Sequence, residues 1–226
     1  MIEVVTSGNA LLYQDALEDM FRLRHRMLVE TRGFLRLRSL DGLQKDRFDT
    51  EDAIYLLLTE DDGTVSGALR LLPTTGPHVF SEILPASCAV RGVQRGPDIL
   101  EVSRLVVDEE RLGRPALELA RKHIVVGLLE FCVRAGYRKV TLLMPPDVLF
   151  RHLLIGLDIK PLGLATEYNG GSQLAVIATV TQEVLDTLRL ALNVMEPLVH
   201  HVGAPAGDPL SLASAQIPRF PLAAAE

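Results

Sequence analysis

Six charged residues in the first half of the sequence are of types that can bind a zwitterionic substrate or move a proton. They are Arg24, Asp46, Asp49, Arg70, Glu101 and Arg104. A guanidinium can bind a carboxylate through two parallel hydrogen bonds, and a carboxylate suits a cationic group. A carboxylate such as that of Glu101 can also act as a general base towards an amine. The set is therefore suited to binding a charged amino compound and removing a proton from it.

Each of these residues also has a purely structural interpretation. Taken alone, Arg24 suits a solvated helix surface, and Asp46 and Asp49 suit a turn, where aspartate is common. Arg70 and Glu101 can form an ion pair between neighbouring strands, which would not exclude a supporting catalytic role. The chemistry therefore depends on whether the fold brings these residues together.

Length and composition are those of an ordinary globular domain. The chain has 226 residues, of which 48% are hydrophobic and 23% charged, and its net charge is −6. A net negative charge argues against a general nucleic-acid-binding protein, which usually carries a basic surface. The apolar stretches are too short for a membrane span. Cys88 and Cys132 lie far apart and Met1–Val5 lacks signal-peptide features, so we expect a reduced, cytoplasmic protein.

Hydrophobic periodicity and turn signals predict the strands and helices that position the charged residues. In the first half they are a strand at Ile2–Thr6, a helix capped by Asn9 and running to about Glu30, a long loop at Leu35–Thr50, hairpin strands at Ala53–Thr59 and Thr64–Leu72, one helical turn at Ser81–Leu84 and a strand at Ile99–Val107. In the second half they are a helix at Arg114–Ala135, a strand at Lys139–Met144, a helix at Asp147–Leu154, hairpin strands at Ile159–Tyr168 and Gln173–Thr179 around Asn169, and a helix from Thr181 to about Met195.

Hairpins mixed with long crossover helices imply a mixed, mostly antiparallel sheet with helices on both faces. This α/β (α+β) order resembles the GNAT-like acyltransferase fold, in which ligands enter a V-shaped cleft between two central strands that splay apart. We expect residues 1–196 to form a single domain and residues 197–226, which are rich in Pro, Ala and Gly, to form a loosely packed tail. We expect a monomer or a weak dimer.

Five short motifs occur along these elements in a specific order. They are Arg24 in Leu23-Arg24-His25-Arg26, the loop segment Asp46-Arg47-Phe48-Asp49, Arg70 at the end of Ser66-Gly67-Ala68-Leu69-Arg70, Phe80, and Glu101-Val102-Ser103-Arg104. This order resembles the LuxI-type acyl-homoserine-lactone synthases, which have an Arg on the first helix, D-x-x-D in the next loop, an Arg ending the third strand, a Phe and E-x-S-R. The resemblance covers roughly residues 1–180.

The resemblance implies a quorum-sensing enzyme that acylates S-adenosylmethionine, closes a lactone and releases methylthioadenosine, without a metal or other cofactor. It implies that S-adenosylmethionine is bound by Arg24, Leu28, Phe34, Asp46, Asp49, Phe80 and Arg104. It implies catalytic roles for Glu101, Arg104, Asp46 and Arg70, with Glu101 or a water that it holds as the base. The acyl group is expected against Leu142, Met144 and Leu149.

Two positions depart from the pattern of the family. Phe34 stands where the family usually has Trp, and Leu28 stands where it usually has Phe. Both positions are expected to line the S-adenosylmethionine pocket, and Phe34 retains an aromatic face for the sulfonium with a weaker cation–π contact. These changes affect the expected fit of the substrate more than the expected type of reaction.

The segment Glu101–Arg104 makes a geometrical prediction. Residues 101 and 104 of a regular strand point to opposite faces of a sheet. Both can serve one cleft only if the strand contains a β-bulge, which GNAT-like folds carry on this strand. We therefore predict a β-bulge near residues 101–104.

The acyl donor and two other functions remain open at this stage. The segment Arg70–Thr75 resembles the branch of the family that uses acyl-CoA, often with branched or aromatic acyl groups, which implies acyl-CoA rather than acyl carrier protein. Arg151-His152 nevertheless offers a small basic surface for a carrier protein. A generic GNAT N-acyltransferase is disfavoured because Glu110–Ala116 does not match its pyrophosphate-binding loop. An N-acyl amino acid synthase, and a non-catalytic ligand-binding relative, remain alternatives.

Overall fold

The structure is a computed structural model and describes residues 1–168 and 170–200. The predicted turn residue Asn169 and most of the predicted tail, residues 201–226, lie outside the described residues. The strands of the described part of the chain are β1 (Ile2–Val5), β2 (Ile54–Thr59), β3 (Val65–Pro73), β4 (Ile99–Val107), β5 (Lys139–Met144), β6 (Ile159–Pro161), β7 (Thr166–Tyr168), β8 (Gly171–Thr179) and β9 (Val199–His200). Its α-helices are α1 (Gln14–Arg24), α2 (Val79–Glu82), α3 (Arg114–Ala135), α4 (Pro146–Leu154) and α5 (Gln182–Leu192).

The strands form one mixed sheet in the order β6-β8-β5-β4-β3-β2-β1-β9, with β7 paired to β8. The β4–β5 and β1–β9 pairs are parallel and the others are antiparallel. The parallel β4–β5 pair follows from the long crossover helix α3, since parallel neighbours cannot be joined by a tight turn. The predicted mixed sheet with flanking helices is confirmed.

The central strands β4 and β5 separate along most of their length. Their pairing comprises only the register from Ile99–Lys139 to Glu101–Thr141. Beyond that point β4 continues along β3 and β5 continues along β8. The divergence produces the cleft that the sequence analysis predicted between the central strands.

The two faces of the sheet are covered by different elements. The larger apolar cluster includes Val102 of β4, Ile124 and Phe131 of α3, and Leu188 of α5. The second includes Met20 and Leu23 of α1, together with side chains of β2 and β3. The helix α1 therefore packs on the face opposite α3 and α5. No helix within residues 1–168 and 170–200 is long and apolar enough to cross a membrane.

Several predicted boundaries need correction. Asn9 does not cap the first long helix, because its side chain binds the main chain at Val4 and Thr6. The helix begins at Gln14, and its last part, His25–Thr31, is a π-helix. Such segments often occur at functional sites.

The second half differs from prediction at its strand and helix ends. The strand predicted at Ile159–Tyr168 is two short strands, β6 and β7. It breaks near Gly163, where a Cβ atom would collide with the carbonyl oxygen of Ser87. The last helix ends at Leu192, followed by Asn193 in a left-handed conformation. The pairing of β9 with β1 extends the sheet past the boundary predicted at residue 196.

Candidate active site

Arg24 is a buried cation fixed at the end of α1. Its Nη1 and Nη2 atoms donate to the two carboxylate oxygens of Asp49 at 2.8 and 3.0 Å, and its Nε donates to Gln44 Oε1 at 2.8 Å. Tyr55 Oη also donates to Asp49, at 3.0 Å. Burial lowers the pKa of Arg24, and the ion pair with Asp49 opposes that effect. The guanidinium is therefore held in one orientation by polar contacts on every nitrogen.

Asp46 joins two further arginines to this pair. Arg70 Nη1 lies 2.7 Å from Asp46 Oδ1 and 2.9 Å from Asp49 Oδ1. Arg104 donates from Nε and Nη2 to Asp46 Oδ2 at 3.0 and 2.6 Å. Burial acts to raise the pKa of Asp46, but the hydrogen bond and charge of Arg70, and then the charge of Arg104, hold it well below its ordinary value. Both aspartates are thus ionised and bound to guanidinium groups.

The resulting ionic cluster carries one excess positive charge. It contains the guanidiniums of Arg24, Arg70 and Arg104 and the carboxylates of Asp46 and Asp49. Arg70 Nη2 is buried and has no hydrogen-bond partner among the described residues. Arg104 and Asp46 are the more accessible members, with side chains 16% and 17% exposed. The cluster is therefore suited to an added anionic group at its accessible side.

A β-bulge brings Arg104 to this cluster. Arg70 pairs with Ser103, and Ala68 pairs with Val106. Arg104 and Leu105 on β4 therefore lie opposite a single residue of β3, Leu69. Arg104 has a φ of 55°, in the left-handed region that a non-glycine residue rarely adopts. The predicted bulge is confirmed, and it lets residues 101 and 104 serve the same face.

Glu101 lies on that face but outside the ionic cluster. Its neighbours Leu100 and Val102 join the apolar cluster beneath α3, so Glu101 points to the opposite side. Its carboxylate oxygens accept the N–H groups of Val79 and Phe80 at 2.9 and 2.8 Å. The proposed Arg70–Glu101 ion pair is not formed, because Arg70 pairs with the two aspartates.

The environment of Glu101 favours a proton acceptor that titrates near neutrality. The residue is 1% exposed. Burial raises the pKa of Glu101 to about 7, although the two N–H donors and the charges of Arg70 and Arg104 oppose the rise. A carboxylate with such a pKa can accept a proton efficiently at neutral pH.

The apolar residues expected around S-adenosylmethionine lie in two places. Leu28 is buried in the cluster beside α1, and Phe34 packs partly against the same cluster. Phe34 also lines a cavity of about 260 Å³ with Gly33, Leu35 and Arg36. Phe80 is buried in a third cluster, where its main chain contacts Glu101. Phe34 is therefore an aromatic ring at a cavity, whereas Phe80 is mainly enclosed.

The three residues expected to contact the acyl group lie on the other face of the sheet from Glu101. Met144 and Leu149 belong to the large cluster that includes α3, and Leu142 packs against that cluster. Because side chains alternate along β5, it is Thr141 and Leu143 that share the face of Glu101. An acyl group could reach the predicted residues only by passing through the cleft between β4 and β5.

Sequence reasoning missed several residues that complete the site. Gln44 orients Arg24, and Tyr55 donates to Asp49. Ser103 accepts from Arg70 Nε at 3.1 Å. Gln44 stands two residues before Asp46, and Tyr55 pairs with Arg70 in the β2–β3 register. The sequence could have indicated both residues only through their closeness to predicted site residues, along the chain or across the predicted hairpin. Within the described residues, no group of three or more His, Cys, Asp or Glu side chains is arranged to hold a metal ion.

Comparisons with known proteins identify the family of this chain. The sequence model of the family described as autoinducer synthase matches residues 8–154. The isovaleryl-homoserine lactone synthase of Bradyrhizobium diazoefficiens is 38% identical over 189 residues, which cover 83% of this chain and 84% of that protein. The acyl-homoserine-lactone synthase of Aeromonas hydrophila is 28% identical over 149 residues, covering 64% and 70% of the two chains.

Solved structures extend the similarity to the fold. The CoA-dependent acyl-homoserine lactone synthase BjaI, solved with S-adenosylmethionine and isopentyl-CoA, superposes with a TM-score of 0.82 and 35% identity, covering 94% of this chain and 98% of that one. The CoA-dependent acyl-homoserine lactone synthase MesI superposes with a TM-score of 0.79 and 29% identity, covering 88% and 98%. An N-acyl amino acid synthase, FeeM, shares the fold at 13% identity and a TM-score of 0.50.

Proposed function

This chain belongs to the autoinducer synthase family, and we propose that it makes a quorum-sensing signal by N-acylating S-adenosylmethionine and closing the homoserine lactone. The observation that carries the proposal is the pairing of a cationic cluster with a separate buried carboxylate. The cluster of Arg24, Arg70, Arg104 and the two aspartates has one excess positive charge. Glu101 lies on the same face of the sheet with a pKa of about 7.

The excess positive charge suits the α-carboxylate of S-adenosylmethionine. Arg104 is the accessible guanidinium, and Arg70 Nη2 is a donor without a partner among the described residues. Guanidinium groups bind carboxylates with two charge-assisted hydrogen bonds. Asp46 and Asp49 are already engaged by arginines, so their main role in this proposal is to hold the guanidiniums. Phe34 offers an aromatic face to the sulfonium.

Glu101 acts as the base in the acyl transfer. The α-amino nitrogen attacks the thioester carbon, a C–N bond forms and the C–S bond breaks, and the released thiolate is the leaving group. The proton of the amine passes to Glu101, directly or through a water molecule. The substrate carboxylate then attacks its own γ-carbon, and the C–S bond to the sulfonium breaks to release neutral methylthioadenosine. The thioester is an activated acyl group in the first step, and the sulfonium is a good leaving group in the second, so the proposed reaction needs no resident cofactor.

Acyl-CoA is the proposed donor. The support is the similarity to the two CoA-dependent synthases, of which BjaI was solved with isopentyl-CoA. A short branched acyl group is part of the proposal, because the relative from Bradyrhizobium diazoefficiens is an isovaleryl-homoserine lactone synthase. Leu142, Met144 and Leu149 are the candidate acyl contacts, reached through the β4–β5 cleft. A cytoplasmic location, where both substrates are made, belongs to the same proposal.

The test is to incubate the purified protein with S-adenosylmethionine and isovaleryl-CoA and to measure methylthioadenosine and free CoA separately. Equal amounts of both products are expected, together with isovaleryl-homoserine lactone detected by mass spectrometry. Free CoA without methylthioadenosine would instead indicate a plain N-acyltransferase. Absence of both products with every acyl-CoA and acyl carrier protein donor would indicate a binding protein. Isovaleryl carrier protein in place of isovaleryl-CoA tests the choice of donor.

A further inference from the structure

Thr141 is a buried residue whose hydroxyl is not used by the fold. The residue is 1% exposed, and Oγ1 has no hydrogen-bond partner among the described residues. A buried hydroxyl without a partner costs roughly 1–3 kcal/mol, and a valine of nearly the same shape avoids that cost. Packing alone does not explain why a hydroxyl, rather than a methyl group, occupies this position.

The position of Thr141 places it at the base of the cleft beside Glu101. Thr141 pairs with Glu101 in the last register of the β4–β5 ladder, after which the strands separate. Alternation along β5 puts Thr141 on the face of Glu101, because Val140 and Leu142 join the cluster beneath α3. The main chains of the two residues are one strand spacing apart, about 4.8 Å.

Several of the polar groups near Glu101 are already engaged by the fold. The N–H groups of Val79 and Phe80 bind its carboxylate. The hydroxyl oxygen of Ser103 accepts from Arg70 Nε, which holds it beside the ionic cluster. On the opposite side of Thr141 the neighbouring strand contributes the apolar residue Ile177. Thr141 is therefore the residue at the base of the cleft whose buried hydroxyl makes no hydrogen bond to the described residues.

We propose that Thr141 is a catalytic residue whose hydroxyl donates a hydrogen bond to the carbonyl oxygen of the acyl thioester as that oxygen becomes negatively charged. The inference rests on the proposed function, since it takes Glu101 as the base. An amine that passes its proton directly to Glu101 must be within hydrogen-bond reach of that carboxylate. The carbonyl carbon under attack lies within about 3.5 Å of the amine nitrogen, so the carbonyl group is beside Glu101, where Thr141 forms the base of the cleft.

The electron movement in this step gives the hydroxyl its role. As the nitrogen bonds to the carbonyl carbon, the π electrons of the C=O bond move to oxygen, and they return when the C–S bond breaks. Thr141 keeps its proton throughout and stabilises the charge at the oxygen. A donor fixed in a dry site before the reaction stabilises such an oxyanion strongly, and removing one typically lowers kcat about 100-fold or more.

The test compares Thr141→Val, Thr141→Ala and Thr141→Ser by CoA release and by thermal unfolding. We expect Thr141→Val to keep or raise the Tm, to lower kcat about 100-fold and to leave the KM for S-adenosylmethionine nearly unchanged. Thr141→Ala should lose kcat similarly, and Thr141→Ser should retain most of it. Thr74→Val is the matched control: Thr74 Oγ1 lies within hydrogen-bond distance of the Gly96 and Ile99 carbonyl oxygens, one of which receives its proton, and it accepts from Gly96 N–H, so its loss should lower the Tm.

Two outcomes would overturn the role of Thr141. One is a Thr141→Val protein whose kcat stays within about twofold of wild type, far from the loss expected for an oxyanion donor. The other is a loss of kcat accompanied by a shifted pH profile, which would mean that Thr141 acts through Glu101. If the wild-type protein released CoA but no methylthioadenosine, the proposed function would fail. The same variants would still test Thr141 by CoA release, because acyl transfer to any amine forms the oxyanion.

Discussion

Arg24 and Asp49 form a two-pronged ion pair in which Nη1 donates to Oδ1 at 2.8 Å and Nη2 donates to Oδ2 at 3.0 Å. The pair joins the end of α1 to the loop before β2, and Arg24 itself is 1% exposed. Because Arg70 also contacts Asp49, the same carboxylate links α1 to β3. Residues proposed to bind substrate therefore also hold the elements of the site together.

Neutralising Asp49 is expected to destabilise the protein as well as inactivate it. In Asp49→Asn the buried Arg24 and Arg70 lose one carboxylate, and breaking a buried pair in this way costs about 3–5 kcal/mol. The matched control is Glu18→Gln, which removes the exposed i,i+4 pair between Glu18 and Arg22. Exposed pairs contribute at most about 1 kcal/mol. Urea unfolding of both variants measures the difference, and equal destabilisation would contradict the structural role of Asp49.

The activity is expected to rise with pH through neutrality. Glu101 accepts a proton only when it is ionised, and burial raises its pKa to about 7. The profile of log kcat/KM against pH should therefore climb with unit slope below about pH 7 and level off above it. A profile already flat from about pH 5 would mean that Glu101 titrates near the ordinary carboxylate pKa in the free enzyme.

The same ionisation makes the stability contribution of Glu101 fall as pH rises. Its pKa in the folded protein lies above that in the unfolded chain, so the folded state binds more protons between the two values. This contribution is fully present below the unfolded pKa and is lost as pH rises through about 7. The difference in unfolding free energy between wild type and Glu101→Gln, measured from about pH 4 to 8, should follow that direction.

The sequence predicted those features that local pattern and alternation determine. Periodicity located α3 and the strands on either side of it. Residues 101 and 104 can share a cleft only if the strand bulges, and this requirement predicted the position of the β-bulge. At that bulge Arg104 has a φ of 55°. The order of the motifs was sufficient to identify the arginines and aspartates that the fold brings together.

Features set by tertiary contacts were not predictable in this way. The break near Gly163 lies where the chain passes against the distant residue Ser87, and nothing in the local sequence pattern predicted the π-helical end of the first helix. The predicted acyl contacts depend on which residues of β5 face Glu101, and a shift of one residue reverses that face. The Arg70–Glu101 pair was plausible on adjacent strands, but the loop carrying Asp46 supplies Arg70 with closer carboxylates.

Glu101→Gln is expected to abolish turnover while the protein stays folded. The amide cannot take the proton from the amine, so kcat should fall at least about 100-fold. The structure adds a stability cost, because the amide nitrogen must face one of the N–H groups of Val79 and Phe80. Leaving one such donor unpaired costs about 1–3 kcal/mol. Methylthioadenosine release and thermal unfolding measure the two effects, and wild-type turnover in the variant would refute the role of Glu101 as the base.

Phe34→Trp is expected to improve the binding of S-adenosylmethionine. Phe34 lines the cavity beside the π-helix, and an indole attracts a cation more strongly than a phenyl ring does. A whole cation–π contact at a partly exposed site contributes about 0.5–1 kcal/mol, so the difference between the two rings is a fraction of that and should lower the KM by up to about twofold. The KM for isovaleryl-CoA should not change, because the substituted ring is proposed to face the sulfonium rather than the thioester. Phe150→Trp, at a residue 62% exposed on α4, adds the same indole elsewhere and should leave both constants unchanged. If Phe34→Trp left the KM for S-adenosylmethionine unaltered while Phe150→Trp behaved as expected, the sulfonium would not lie against Phe34, and the binding role of this cavity would have to be abandoned.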